Sequence, residues 1–397
     1  MNVIRTLSWL IATGWLTFNA PAMTSGEPFL PQNDEQVLER LSVKAADSAA
    51  REIRALRASL LRDPQNVDVA VSLATKLIEQ SRSDGDPRFL GQAQAVLVPW
   101  LSHSTPPSST LLLRAMIRQH AHEFDLALAD LDTVLSLQPA NAQAWLTKAS
   151  IYQVQGRYED ARRACQPLLR LAGRHIALTC SSDIAGLTGQ ATASREMLTG
   201  SLKRSGISVR ERLWILTILA EMTARTGNAS AAEKHFLDAR SLGVKDHYLL
   251  GAYADFLLDH GRATEVITLL QHETRADGLL LRLTLAEQAL HLPVAKDHTA
   301  ELAARFAAGR ERGTRVHVRE EARFTLGLLH DSQTALTLAQ TNWAIQKEPW
   351  DARLLLESAL AVGSRNAARP VIDWLHTNHV EDRGLQQLVA QFPEEQP

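Results

Sequence analysis

Two cysteines in 397 residues are too few for a disulfide-dense mini-domain or a Cys-rich zinc array. Aromatic residues make up only 5% of the chain, and Leu and Ala visibly outnumber Val and Ile. That balance favours helix over sheet. Neither sign of charge is in excess: 42 Lys and Arg against 44 Asp and Glu leave a net charge of −2. A protein built mainly to neutralise nucleic-acid phosphate carries a clear basic excess, so that class is excluded. Gly-x-Ser-x-Gly, His-Glu-x-x-His, P-loop and Gly-rich dinucleotide motifs are all missing, and neither catalytic residues nor a cofactor is expected. Long apolar runs are absent apart from residues 7–18, about a dozen residues where a membrane span needs roughly 20.

That one run reads as part of an address. Arg5 is the only charge before it, and Ala20-Pro21-Ala22 offers a small-x-small cleavage site. Residues 1–22 are therefore expected to be a secretory signal peptide, with a mature protein starting near Met23 in the periplasm or cell envelope and no membrane span after cleavage. A retained anchor is the other outcome this pattern allows.

Self-similarity accounts for most of the remaining chain. Trp145, Leu146, Ala149, Tyr152, Gly156, Tyr158, Ala161, Cys165 and Leu168 form an ordered series of large, small and turn residues. The unit before it has Leu111, Ala115, Ala127, Leu131, Val134 and Pro139 at corresponding places. Leu216, Ala220, Gly227, Ala232 and Phe236 repeat the order later, as do Leu250, Tyr253, Ala254, Gly261 and Val266. Ala115 and Ala149 are 34 residues apart; so are Ala127 and Ala161, Ala220 and Ala254, and Ala232 and Val266. A degenerate unit with a small insertion, containing Cys180, Gly189 and Met197, fits between Ala149 and Ala220. Each period reads as a helical hairpin that cannot bury its apolar stripe alone and must stack on its neighbours. Small residues recur where helices cross closely, and Gly156, Gly227 and Gly261 fall where a left-handed residue ends a first helix.

This order and period resemble the tetratricopeptide repeat. The resemblance implies an all-α, right-handed α-solenoid of roughly eight to ten hairpins. Residues 23–107 are expected to hold diverged N-terminal hairpins, 108–275 the regular repeats, and 276–397 irregular C-terminal repeats and a cap. In the last region a helix is expected over 298–323, a hairpin over 324–343 and another over 354–375.

The family also implies a site. First helices of successive hairpins line a concave groove that holds an extended peptide or a partner helix. By register the groove comprises Leu112, Met116, Gln119 and His120, then Gln143, Leu146, Ser150 and Gln153. Trp214, Thr217, Glu221 and Arg225 come next, then Tyr248, Asp255, Leu258 and Asp259. Groove positions where some members clamp a terminal carboxylate with Lys, Asn and Arg hold Leu112, Leu146, Met116 and Ser150 here, so that clamp is missing. The implied function is a non-enzymatic scaffold that captures a protein segment through apolar anchors and polar register contacts. Envelope polysaccharide export or assembly is one alternative. A cytoplasmic adaptor is another, should the signal peptide fail, and an enzyme whose site hides in residues 279–323 is a third.

Cys165 would lie on the second helix of one hairpin and Cys180 on the first helix of the next, antiparallel neighbours in such a stack. A disulfide and two buried free thiols are both compatible with that placement. Among 14 histidines, His120 and His122 point apart on a helix, while His376 and His379 share a face near Glu381 and Asp382. Two ligands make a poor metal site, and no metal is expected. Trp145 and Tyr152 match core positions of the repeat, so packing is their expected role.

Overall fold

The computed structural model describes residues 33, 36, 48–313 and 318–393. The expected signal peptide lies outside these residues. Ser42–Pro397 form one compact unit, and its described secondary structure is entirely helical.

Helix α1 (Ser48–Arg62) leads into the hairpin of α2 (Val67–Asp84) and α3 (Arg88–Leu101). Next come α4 (Ser108–His120) with α5 (Phe124–Leu137), and α6 (Ala142–Val154) with α7 (Tyr158–Cys165). A single extra turn, α8 (Leu168–Leu171), precedes α9 (Arg174–Gly186) and α10 (Ala191–Leu202). The chain continues through α11 (Val209–Arg225) with α12 (Ala229–Arg240), and α13 (His247–Asp259) with α14 (Ala263–Leu270). The last hairpins are α15 (Asp277–Ala289) with α16 (Ala295–Glu311), α17 (Val318–Gly327) with α18 (Ser332–Ile345), and α19 (Pro349–Ala361) with α20 (Arg365–Asn378). Helix α21 (Arg383–Val389) ends the described chain. These are nine hairpins, within the expected number, and α8 is the insertion behind the broken period.

Local chemistry starts and stops the helices. Asn66, Asn141, Asn228, Asp246, Asp331 and Ser364 accept a backbone N–H from the first turn of α2, α6, α12, α13, α18 and α20. Ser208 and Glu211 close a reciprocal capping box on α11. Left-handed residues turn each first helix into its partner: glycine at 85, 156, 189, 227, 261 and 363, but histidine at 122, 291 and 330. Histidine tolerates positive φ better than most side chains, which gives several of the histidines a backbone role. His379 has the same conformation at the end of α20, while Glu381 and Asp382 accept the backbone N–H groups of Ala191 and Leu385.

The C-terminal register differs from expectation in two places. Residues 298–323 are not one helix: α16 ends at Glu311, Gly313 takes a left-handed conformation, and α17 restarts at Val318. The next hairpin accordingly begins at Val318 rather than at Phe324. Its turn comes after Gly327 and is made by Leu329, His330 and Asp331, which, like the turn at His122, contains no Gly or Pro.

Packing obeys the repeat. Ala115, Ala149, Ala220 and Ala254 are at most 1% exposed. Further along, the stack meets itself. Turns joining the two helices of a hairpin form one edge, here the front edge; turns joining successive hairpins form the back edge. The Lys347 amide, on the back turn between α18 and α19, donates to the Val154 carbonyl on the front turn of α6 and α7 at 2.7 Å. His379 lies against Gly189 and Arg383 against Gly227, and Ser83 on the front turn of α2 and α3 donates to the Lys245 carbonyl before α13. One core accordingly joins distant hairpins: Tyr158, Ala161 and Ile184 pack with Trp343, Leu354, Trp374 and Leu385. Trp343 and Trp374 meet edge to face at 5.4 Å. Trp145 is half buried against this core and its indole donates to the Pro139 carbonyl at 2.9 Å.

Cys165 on α7 and Cys180 on α9 are joined in a disulfide with Cα atoms 5.9 Å apart. The bridge closes a loop of 15 residues, worth about 3 kcal/mol by loop-closure entropy. Urea unfolding with and without a reductant checks this. The oxidised chain is expected to be more stable by about that amount; equal midpoints would count against it.

Candidate functional site

The residues expected to line a groove lie on the first helices α4, α6, α11 and α13. Gln119 donates to Ser150 at 3.1 Å and Gln153 to Asp183 at 2.9 Å, each bond stepping from one first helix to the next. Tyr248 on α13 donates to Glu221 on α11 at 2.9 Å. Asp183, Glu221 and Glu348 each act electrostatically on their neighbours here, and the Arg225 charge is felt by Asp183 and Glu221. Arg225 itself has no hydrogen-bond or ion-pair partner among the described residues.

The sequence-derived groove residues divide into three groups. His120, Gln143, Tyr248 and Asp259 are exposed. Ser150, Gln153, Glu221 and Arg225 are half buried and polar. The expected apolar anchors are turned to packing: Leu112 against the α4–α6 core, Met116 against the α2–α4 core, Leu146 and Trp214 against the core shared with the C-terminal hairpins. Thr217 is buried, its hydroxyl donating to the Leu213 carbonyl at 2.9 Å, and Asp255 is buried at 3% exposure. Of the mixed apolar and polar set that was expected, the exposed members are thus mainly polar or charged.

Arg282 on α15 grips the Asp255 carboxylate with two bonds of 2.9 and 2.6 Å, and Arg323 on α17 adds a third of 2.6 Å. Burial alone would push the Asp255 carboxyl up, but the two guanidinium groups outweigh it and hold the carboxyl below its ordinary range. Arg323 and Arg353 both stack on Trp350, each guanidinium carbon 4.4 Å from the ring centroid. Arg353 continues to Asp259 at 2.7 Å. Arg319 reaches Glu348 at 2.9 Å and Asp351 at 3.5 Å. The gap left beside Leu281, Arg319 and Trp350 measures about 10 Å³, room for little more than one water.

Glu221 lies in the opposite environment. Protein surrounds it and withdraws solvation, and Asp183 and Glu348 repel its charge; Arg225 and the Tyr248 hydroxyl only partly compensate. Its carboxyl is raised to about 7, and burial raises Asp183 too. Tyr248 beside it keeps 56% of its surface accessible.

Sequence reasoning missed Asp183, Glu348, Arg323, Trp350 and Arg353. Asp183 sits in the degenerate unit, and the other four belong to hairpins whose arrival beside α11 and α13 leaves no mark in a 34-residue period. Outside this face, a polar cleft of about 400 Å³ runs between α7 and the end of α20, lined by Arg157, Asp160, Arg162 and Asn378 among others. No group of His, Cys, Asp and Glu among the described residues has metal-binding geometry. No helix among them is long and apolar enough to cross a membrane.

A tetratricopeptide repeat family model matches residues 120–177, from the end of α4 into α9. Residues 120–177 carry the tetratricopeptide repeat. The nine hairpins extend that arrangement on both sides of the matched segment. The chain is similar to a tetratricopeptide repeat protein from Parabacteroides merdae, at 15% identity and a TM-score of 0.37, covering 78% of this chain and 99% of that one. It is similar to a chain of the APC/C hetero-tetramer Cut9–Hcn1, at 16% identity and a TM-score of 0.41, over 78% of this chain; it spans about half, 52%, of that chain's length. Human IFIT1, as a dimer with m7Gppp-AAAA, matches at 13% identity and a TM-score of 0.40 over 86% of this chain and 87% of that one. No curated protein matches.

The raised Glu221 carboxyl makes a signed prediction. The folded state holds a proton that the unfolded chain, with an ordinary value of 4.5, has released. Stability is therefore lost as pH rises from about 4.5 to about 7. Glu221→Gln keeps an acceptor for Tyr248 and removes this loss, so its melting temperature relative to wild type is expected to be higher at pH 8 than at pH 4.5. An equal difference at both pH values, measured by thermal unfolding, would show that the carboxyl is not shifted.

Proposed function

We propose that the protein is a non-enzymatic scaffold of the periplasm or cell envelope that holds a segment of a partner protein on its concave face. Tetratricopeptide repeats are protein-binding units, and the exposed Tyr248 is the observation that carries the reading. It is 56% exposed, and His120, Gln143 and Asp259, also on first helices, are exposed as well. An aromatic residue with a hydrogen-bonding tip, surrounded by polar side chains that fix register, is well suited to capture an extended segment. Asp183, Glu221 and Glu348 outnumber the nearby Arg225, which favours a segment carrying Lys or Arg. Placement outside the cytoplasm is supported by the Cys165–Cys180 disulfide, which uses both cysteines of the chain, together with the segment that reads as a signal peptide.

Photo-crosslinking in the native host tests the site. With a benzophenone side chain at position 248, a protein adduct is expected, and Glu221→Lys in the same chain should reduce it about tenfold or more, as a like charge in place of an attractive one costs about 1–2 kcal/mol. A control probe at Leu237, exposed on the second helix α12, should give none. An adduct from position 237 and not from 248, or from neither, would contradict the proposal.

A further inference from the structure

The stack leaves two edges free, and both carry apolar side chains. Front turns of the early hairpins are covered by back turns from later in the chain: Gly85 by His247, Gly156 by Lys347, Gly189 by His379 and Gly227 by Arg383. Front turns of the later hairpins have no such cover among the described residues. At Gly261 and Gly363 a Cβ would meet nothing within 4 Å. On this open front edge Leu290, Leu292 and Val294, between α15 and α16, are 40%, 37% and 39% exposed, and Leu329, between α17 and α18, is 50% exposed. Gln288 and His330 lie 3.3 Å apart and bring the two turns together.

The early back edge is the counterpart. The back turns before α2, α6, α9 and α11 all come earlier in the chain than His247, the first residue that covers a front turn; of these, the start of α11 touches α2 through Arg210 and Glu79, 3.9 Å apart. Leu61, Leu137, Leu169 and Val209 stand there, 82%, 63%, 60% and 52% exposed. At Gly173 and Gly206 on the same edge a Cβ again meets nothing within 4 Å. Exposed apolar clusters on a soluble stack mark association sites, because terminal repeats need a polar outer surface to stay apart.

We propose that the occupant of each edge is a second copy of this chain, joined head to tail, with the back edge at Leu137 and Leu169 of one copy seated on the front edge at Leu292 and Leu329 of the next. The chain already makes this front-to-back contact internally at four places, and the intermolecular joint continues it. Such a contact is heterologous, so it propagates instead of closing as a two-fold dimer. The proposal is independent of the partner reading, since neither edge includes a concave-face residue.

Sedimentation of the purified chain from low to high micromolar concentration tests it. Wild type is expected to grow from the 43.8 kDa monomer or its processed form into a series of longer species. A front-blocked variant, Leu292→Asp with Leu329→Asp, and a back-blocked variant, Leu137→Asp with Leu169→Asp, should each stay monomeric with wild-type helicity. Mixed in equal amounts, they should form a dimer and nothing longer, because each retains the one edge the other has lost. A wild type that stays monomeric throughout, a blocked variant that still assembles, or two blocked variants that fail to pair would each overturn the proposal. The wild-type series decides without any variant having to fold.

Discussion

Everything in this structure depends on the contact between successive superhelical turns. A helical hairpin buries only part of its apolar surface, and stacking buries the rest between neighbours. Here the hairpins also wind tightly enough for later ones to rest on the turns of earlier ones. The Lys347 amide bonded to the Val154 carbonyl, and the Glu381 carboxylate accepting from the Ala191 amide, are the backbone signs of that contact. Tyr158, Trp343 and Trp374 close a core that no single run of adjacent hairpins contains.

Turn-on-turn contact also sets the electrostatics of the concave face. Glu221 and Asp255 occupy the same place in the repeat, 34 residues apart, yet their carboxyl groups are driven in opposite directions. Asp255 is met by Arg282 and Arg323 from the following hairpins and is held charged and buried. Glu221 is desolvated by the protein around it and faces other acids, so its charged form is disfavoured. Equivalent positions thus become a structural anchor in one hairpin and a desolvated acid in another, according to what the later hairpins bring beside them.

Much of the fold was legible in the sequence because it rests on local, periodic constraints. A small residue is needed wherever two helices cross, which is why Ala115, Ala149, Ala220 and Ala254 keep the 34-residue register. What was hidden arises from sums of small rotations. The path of a stack depends on the twist between each pair of hairpins, and no residue encodes the point at which α19 arrives opposite α13. For that reason the pairing of Arg353 with Asp259 and of Arg323 with Asp255 went unseen, as did the packing of the half-buried Leu112 and Leu146 against the core. The turn at His330 was obscured for a local reason: histidine there adopts the left-handed conformation that sequence reading assigns to glycine.

Hydrogen exchange at the front turns tests the turn-on-turn contact most directly. Local bonding is the same at covered and open turns: the amides of Gly156 and Arg157 donate to the carbonyls of Gln153 and Tyr152, and those of Gly363 and Ser364 to Leu360 and Ala359. Only the overlying hairpin differs, so differences in protection report tertiary cover and not helix capping. In dilute protein the amides at 156–157 and 227–228 should exchange at least about tenfold more slowly than those at 261–262 and 363–364, a difference of about 1.4 kcal/mol in local opening. Equal protection at all four turns would mean that the later hairpins do not rest on the earlier ones.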